Sequence, residues 1–303
     1  MELILHNHVG SIFSEKVRRV LAYKGLDWTN IQVSPIPPKT NFTPLTGGYR
    51  RMPVLQIGAD IYCDSALIIQ KLEEICPTPS VFPKETSGIA SMIADWADHR
   101  AFKWVLVTIY PDFMAHMPEV FIQDRKELIP ELDPERVKDL SPHAFEQFKK
   151  FVSFVDMALL NHAFVAGDAF SVADAACYHL FWFAKLSPRV FAPIESYPRI
   201  LDWMAKVAAF PSPKVEDKAD LYPLGVALDS TPTDVGDFTN GSDIYGLGDM
   251  VSVSADDYAT EQIVGEIAKL APNEIAVRQV SEKLGEIVIH FPRLGFNIQK
   301  HSK

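Results

Sequence analysis

An acid–hydroxyl pair, Asp64–Ser65, lies between a short apolar strand and a helix in RRMPVLQIGADIYCDSALIIQKLEE, residues 50–74. The first turn of a helix presents unpaired backbone N–H groups and the positive end of its dipole. A hydroxyl there can cap the helix, and the same place can hold a carboxylate. Pro53 directly precedes the apolar strand, although proline cannot donate a backbone hydrogen bond to a sheet. The role of this pair and the position of Pro53 both need an explanation.

Histidine and cysteine offer the other reactive side chains. His6 and His8, in the sequence HNH, would share one face of a strand, but no acidic or cysteine partner lies nearby, so we expect structural roles and no metal. None of the cysteines, Cys63, Cys76 and Cys177, belongs to a C-x-x-C pair. This pattern favours a reduced compartment without disulfides.

The elements that would position these residues change character along the chain. Residues 1–83 alternate strand and helix patterns as βαβ followed by ββα, with a hairpin turn at Gly58-Ala59-Asp60. A four-stranded mixed sheet with helices on its faces is the expected packing, which makes this an α/β domain. Residues 84–215 show the helical period throughout, and Ser171-x-x-Asp174 is a capping box at the start of an apolar helix. This part is predicted to be all-α.

The remainder of the chain gives a different pattern. Residues 216–244 are rich in Pro, Gly, Asp, Thr and Ser, which predicts a linker. Residues 245–303 contain MVSVSA, QIVGEIAKL, EIAVRQV and EIVIHF, which are strand-like, so we expect a small β-rich C-terminal domain.

Composition excludes several classes of protein. The formal net charge of -10 over 303 residues argues against nucleic acid as the main partner, because phosphate binding needs clustered Lys and Arg. No basic n-region precedes an apolar stretch at the start, and no apolar run approaches the ~20 residues of a membrane span. We therefore expect a cytoplasmic protein without a membrane partner.

Three stretches resemble the glutathione S-transferase superfamily over roughly residues 1–215: GSIFSEKVRRVLAYKGL, RRMPVLQIGADIYCDSALIIQKLEE and FVAGDAFSVADAACYHLFWF. The resemblance implies a thioredoxin-like glutathione-binding domain at 1–83 and an all-helical domain at 84–215. It implies glutathione as co-substrate, no metal, a small apolar electrophile as second substrate and a possible homodimer. The β-rich tail lies outside the usual family pattern.

The resemblance also implies a role for each residue around Pro53. It implies a cis peptide bond at Pro53, with the Val54 backbone pairing with the cysteinyl part of glutathione like an added strand. Ser65 would bind the γ-glutamyl carboxylate at the helix start, and Asp64 would hold the γ-glutamyl ammonium or the local loop. Arg51 would steer the glycyl carboxylate. Two simpler interpretations stay open: Ser65 as an N-cap and Arg51 as a surface charge.

Transferases of this family activate the thiol with Tyr, Ser or Cys after the first strand. No tyrosine precedes Tyr23 and no cysteine precedes Cys63, so Ser11 or Ser14 remains. Alignment with the serine-type pattern favours Ser11 as the catalytic residue, with Ile12 in place of a frequent proline. The alternative is that Ser11 only caps the helix and that activity has been lost.

The sequence leaves two other functions open. The first is a non-catalytic glutathione-fold binding or scaffold protein that uses its β-rich tail for a partner. The second is a thiol–disulfide reductase, which the lack of a cysteine near Ser11 disfavours. For the transferase, part of the aromatic cluster in the long helix should form the electrophile pocket: Phe102, Trp104, Tyr110 and Phe113.

Overall fold

The computed structural model of the protein describes residues 1–238 and 244–301, and it divides into two compact units. The first unit combines both ends of the chain: Met1–Ser14, Leu26–Lys71 and the chain from Pro213 onward. The second unit consists of Glu15–Gly25 and Leu72–Ser212.

All strands of the described residues lie in the first unit. They are β1 Ile4–Asn7, β2 Trp28–Gln32, β3 Val54–Ile57, β4 Asp60–Cys63, β5 Val215–Asp217, β6 Gly236–Asp237, β7 Met250–Ala255, β8 Ile263–Leu270, β9 Glu274–Ser281, β10 Gly285–Pro292 and β11 Phe296–Lys300. The helices, given in chain order through both units, are α1 Ile12–Lys24, α2 Phe42–Leu45, α3 Ser65–Ile75, α4 Ser87–Trp96, α5 Phe102–Met114, α6 Glu119–Leu128, α7 Pro134–Ala158, α8 Val172–Ala184, α9 Pro188–Phe191, α10 Pro198–Ala208 and α11 Tyr222–Leu228.

The strands form one mixed sheet in the order β11-β7-β8-β9-β10-β4-β3-β1-β2-β5, with β6 paired to β8. The predicted βαβ and ββα patterns are confirmed, with β1 parallel to β2 and antiparallel to β3. The hairpin between β3 and β4 turns at Gly58, whose φ of 60° suits glycine.

The C-terminal strands are present as expected, but they do not form a domain of their own. β10 pairs in parallel with β4, with Ile289 opposite Ile61, so the tail extends the thioredoxin-like sheet. One apolar core contains residues of both parts, for example Val54 with Val277 and Phe291. The physical reason is that β4 is buried along its whole length. Its backbone edge therefore has to pair with another strand, which is β10 of the C-terminal region.

The segment predicted as a linker, 216–244, is also partly structured. β5 joins the sheet beside β2, and α11 buries Leu224 and Ala227 in the common core. The prediction rested on the many turn-forming residues in this segment, and it missed the buried face of α11.

The second unit is all-helical, as predicted. α4 continues through a π-helical turn, Ala97–Ala101, into α5, which carries Pro111 inside it. α8 is buried along nearly its whole length. Its start is held by Asp174, whose carboxylate accepts from the backbone N–H groups of Ser171 and Val165 and from the indole N–H of Trp203.

Candidate functional site

Ser11 occupies the turn between β1 and α1. Its backbone N–H donates to the carbonyl of His8 at 2.9 Å, and its Oγ accepts from the backbone N–H of Ser14 at 3.3 Å. Ser11 thus caps α1 with its oxygen, which leaves the hydroxyl proton to donate to a ligand. Ser14 is fully buried, and its Oγ has no hydrogen-bond partner among the described residues. Of the two serines, only the half-buried Ser11 reaches the surface.

The Met52–Pro53 peptide bond is cis, as the resemblance implied. Val54, by contrast, lies inside the sheet, opposite His6 of β1 on one side and Cys63 of β4 on the other. The Val54 backbone is therefore paired with neighbouring strands of the sheet. In this register it is not available for the expected pairing with a ligand. Within residues 1–238 and 244–301, the N–H and C=O of Met52 have no hydrogen-bond partner. The open main chain thus lies one residue before the proline.

Asp64 precedes α3 with φ 76°, a left-handed conformation that is uncommon for residues other than glycine. Its carboxylate accepts from the backbone N–H of Ala66 at 2.8 Å, and its carbonyl accepts from that of Ile68 at 3.0 Å. Asp64 is therefore the N-cap of α3. The interpretation of Ser65 as the cap is wrong, because α3 begins at Ser65 itself, which is 5% exposed.

Arg51 is engaged by the C-terminal extension. Its Nη2 donates to the carboxylate of Asp257 and to the carbonyl of Tyr258, and its guanidinium carbon lies 3.8 Å from the centre of the Tyr258 ring. Burial lowers the pKa of Arg51, but Tyr258, Tyr49 and Asp257 outweigh it, so the guanidinium stays charged. The alternative of a solvated surface charge does not apply.

Tyr49 is a buried aromatic residue that contacts the C-terminal extension. Its ring is 2% exposed and packs against Phe291 and Phe296 of the extension, with ring centres 5.9 and 6.4 Å apart. Burial, together with the negative charge of Asp64, raises the pKa of Tyr49, while Arg51 lowers it. The candidate site and the extension thus share one electrostatic environment.

A second polar cluster joins β4 to the extension inside the sheet. The fully buried His290 contacts Glu274 through Nδ1 at 2.6 Å and Asp60 through Nε2 at 3.2 Å, and its ring stacks on Tyr62 at 4.4 Å. Burial lowers the pKa of His290, but hydrogen bonds and charges of Asp60 and Glu274 raise it above its ordinary value. The two carboxylates therefore favour the protonated form of His290.

Asp234, Glu274 and His290 lie close enough to be considered as metal ligands. Two lysine ammonium groups already compensate these carboxylates. Lys269 Nζ lies 2.6 Å from Asp234 and 2.8 Å from Glu274, and Lys71 Nζ lies 2.7 Å from Asp234. A divalent cation bound to these carboxylates would be repelled by the two ammonium groups, so the donor set does not fit a metal.

Three of the other sequence candidates, His6, Cys63 and Cys177, are buried, whereas His8 and Cys76 are partly exposed. His6 Nε2 donates to Gln56 Oε1 at 2.9 Å, and burial lowers the pKa of His6 to about 4, so it is neutral at pH 7. Burial raises the pKa of the Cys63 and Cys177 thiols, which opposes the thiolate that a reductase requires. These contacts support structural roles.

The predicted aromatic cluster is mostly core of the helical unit. Phe102 and Tyr110 are buried. Trp104 packs edge-on against Trp96, and Phe113 packs edge-on against Phe183. No helix in the described ranges is both long enough and apolar enough to cross a membrane.

The residues that sequence reasoning missed are Met52, Asp257 and Tyr258. In the sequence, Met52 is distinguished only by its position before Pro53. The availability of its backbone N–H and C=O depends on the register of β3, which the sequence does not give. Asp257 and Tyr258 lie about 200 positions beyond Arg51, and no sequence signal connects them to it.

Family models describe most of the first 206 residues. The model for the glutathione S-transferase N-terminal domain matches residues 5–80, and the model for the glutathione S-transferase C-terminal domain matches residues 124–206. The chain is 28% identical over 196 residues to "Glutathione S-transferase TCHQD" of Arabidopsis thaliana, which covers 56% of this chain and 72% of the relative.

Solved structures separate the shared fold from the extension. The β-etherase LigF of Sphingobium sp. strain SYK-6 matches 70% of this chain and 97% of its own, at 17% identity and a TM-score of 0.59, which shows the fold alone. A GST-like protein from Pseudomonas syringae matches 99% of this chain and 100% of its own, at 32% identity and a TM-score of 0.81. That relative therefore has the extension too. With both domain models matched and a full-length relative at this identity, the chain belongs to the glutathione S-transferase superfamily.

Proposed function

We propose that this protein is a glutathione transferase in which Ser11 stabilises the glutathione thiolate for attack on a small apolar electrophile. A free cysteine thiol has a pKa of about 8.5 and is only a few per cent ionised at pH 7. Lowering that pKa to about 6.5 requires about 2.7 kcal/mol of preference for the thiolate. A hydroxyl donor together with a helix N-terminus provides an interaction of this order.

The observation that carries this proposal is the geometry of Ser11. Its oxygen is already an acceptor within the α1 cap, so its proton is the group left for a ligand, and Ser11 is half-buried beside the start of a helix. Ser14 is sealed in the interior, so we exclude it as the catalytic residue.

The remaining proposed contacts lie in the same unit. The open backbone of Met52 would take the cysteinyl part of glutathione, the role that the resemblance gave to Val54. Asp64 and the N-terminus of α3, which begins at Ser65, would hold the γ-glutamyl group. We also propose a cytoplasmic homodimer, which sedimentation and cell fractionation would test.

Replacing Ser11 tests the proposal. In Ser11→Ala, we expect the pKa of bound glutathione, followed by thiolate ultraviolet absorbance, to rise towards the free value of about 8.5. Turnover of an aryl halide or an epoxide should fall at least about tenfold. An unchanged pKa and rate would reject Ser11 as the activating group.

Two matched variants separate activation from helix capping. Ser11→Thr keeps both the capping oxygen and the hydroxyl proton, so it should retain most activity. Ser14→Ala removes a buried hydroxyl without a described partner, so neither the thiol pKa nor the rate should change. Equal loss in Ser11→Ala and Ser14→Ala would show that α1 stability, rather than thiolate stabilisation, controls activity.

A further inference from the structure

A pocket of about 290 Å³ lies where the C-terminal extension meets α2. One wall comes from α2 and the turn that follows it, and the other comes from the end of β9 and the start of β10. The lining residues are Thr43, Pro44, Gly47, Gly48, Gln279, Val280, Ser281, Leu284 and Ile287. The volume is close to the lower limit of about 300 Å³ for known small-molecule sites. The residues proposed to bind glutathione are different ones, so this pocket is separate from that site.

Two glycines shape the wall beside α2. Gly47 and Gly48 have φ values of 59° and 104°, which glycine adopts without strain. A Cβ at Gly47 would lie 2.7 Å from Nε2 of Gln279, so only the bare backbone allows that carboxamide to lie this close. A Cβ at Gly48 would meet no described atom within 4 Å apart from those of its chain neighbours. This wall therefore presents main chain rather than side chains.

The pocket offers hydrogen-bonding groups but no charge. Gln279 Nε2 donates to the Val264 carbonyl at 2.8 Å, which leaves its second N–H, and Oε1 has no partner among the described residues. Within residues 1–238 and 244–301, the N–H of Gly47 and the carbonyls of Gly47 and Gly48 also have no hydrogen-bond partner. Every lining residue is uncharged, so an ionic ligand would lose its hydration without gaining a counter-charge.

The base of the pocket is apolar. Leu284 and Ile287 are each 2% exposed and belong to the core that the extension shares with the thioredoxin-like part. Apolar lining with a few polar groups is typical of small-molecule sites, because the apolar surface contributes binding free energy and the polar groups fix the orientation. A carboxamide on an apolar group matches both features, since it is uncharged and offers donors and an acceptor to the Gln279 carboxamide.

We propose that this pocket is a second ligand site, which binds an uncharged carboxamide or lactam carried on a small apolar group. The lining contains no ionisable side chain that could serve as a general acid or base, so the role of the site is binding without chemistry. The extension creates this site, because the pairing of β10 with β4 places β9 and β10 in the same sheet as the N-terminal strands. The site does not depend on the role of Ser11.

Isothermal titration calorimetry on the full chain tests this site with three probes of similar shape: benzamide, benzoate and toluene. Benzamide should bind at least about tenfold more tightly than benzoate, whose charge has no partner in the pocket, and than toluene, which makes no hydrogen bond. Absence of benzamide binding would overturn the proposal. Benzoate or toluene binding as tight as that of benzamide would also overturn it, because the site would then not recognise an uncharged carboxamide.

Two variants test whether benzamide occupies this pocket. Thr43→Phe places a bulky ring at an exposed lining position and should abolish benzamide binding, whereas Thr40→Phe, at an exposed position outside the lining, should keep it. Gln279→Leu keeps a side chain of similar size but removes both hydrogen-bonding groups, so benzamide should lose its advantage over toluene. Circular dichroism checks that each variant is folded. Unchanged benzamide binding in either folded variant, Thr43→Phe or Gln279→Leu, would overturn the assignment of the site.

Discussion

At the scale of single residues, His290 is the most consequential side chain outside the proposed site. It is fully buried between Asp60 and Glu274, which come from different parts of the sequence. A buried cation between two carboxylates is stable only while every member is present, because removal of one leaves uncompensated charge. His290 therefore joins β10 to β4 and β9 by charge as well as by backbone pairing.

The protonation of His290 predicts a pH-dependent stability. Its folded pKa is raised above 6.5, so this contribution is complete below about pH 6.5 and is lost as the pH rises through the folded pKa. We expect His290→Gln to lower the free energy of unfolding by about 3–5 kcal/mol at pH 6. The difference from wild type should shrink towards pH 9, as measured by urea denaturation at several pH values.

An exposed histidine provides the control for that series. His143→Gln in α7 should give the same stability as wild type at every pH. A His290→Gln deficit that stays constant between pH 6 and pH 9 would contradict a protonated His290.

At the same scale, the sequence identified the residues around Pro53 but not which atoms are available. It could not show that Asp64, rather than Ser65, caps α3, because an N-cap is defined by its φ and its hydrogen bond. Nor could it show that the Val54 backbone is already paired within the sheet, because that pairing depends on the register of two neighbouring strands.

At the scale of elements, the start of α8 depends on one carboxylate. Asp174 is fully buried, and burial raises its pKa to about 6 despite the hydrogen bonds that it accepts from Val165, Trp203 and Ser171. The capping box was evident from Ser171-x-x-Asp174, whereas the contacts with Val165 and Trp203 depend on tertiary packing.

We expect Asp174→Ala to destabilise the helical unit by at least about 3 kcal/mol, because several buried donors lose their acceptor at once. Urea denaturation followed by circular dichroism measures this change. Asp202→Ala, on the exposed face of α10, makes the same substitution and should change stability by less than about 0.5 kcal/mol. Similar stabilities for the two variants would show that Asp174 has no capping role.

At the scale of the whole molecule, local patterns predicted most elements but not the sheet that combines them. The alternation of apolar residues in EIVIHF identified β10, yet the strand that it pairs with, β4, lies more than 200 residues earlier. In the structure β4 is buried on both faces, and such a strand needs a neighbour on each side, but this burial is known only from the fold.

A chain that ends at residue 244 should therefore fail to fold its first unit. It would expose the β4 backbone and the apolar core shared with Val277 and Phe291, and it would leave Asp60 without His290. We expect insoluble protein, or loss of the cooperative urea transition and of glutathione binding.

A shorter truncation provides the comparison. A chain that ends at Leu294 removes only β11, which pairs with β7 alone among the described strands, so it should stay soluble with reduced stability. A well-folded 1–244 chain would contradict the shared core.

The outer strands of the extended sheet have a consequence for behaviour in concentrated solution. One outer strand, β5, has three exposed residues, of which Glu216 and Asp217 are acidic, and the other, β11, ends at Lys300. Short, charged outer strands recruit a strand from a second molecule poorly. The C-terminal strands thus lengthen the sheet without creating an edge strand that pairs readily with another molecule, so edge-to-edge aggregation is disfavoured.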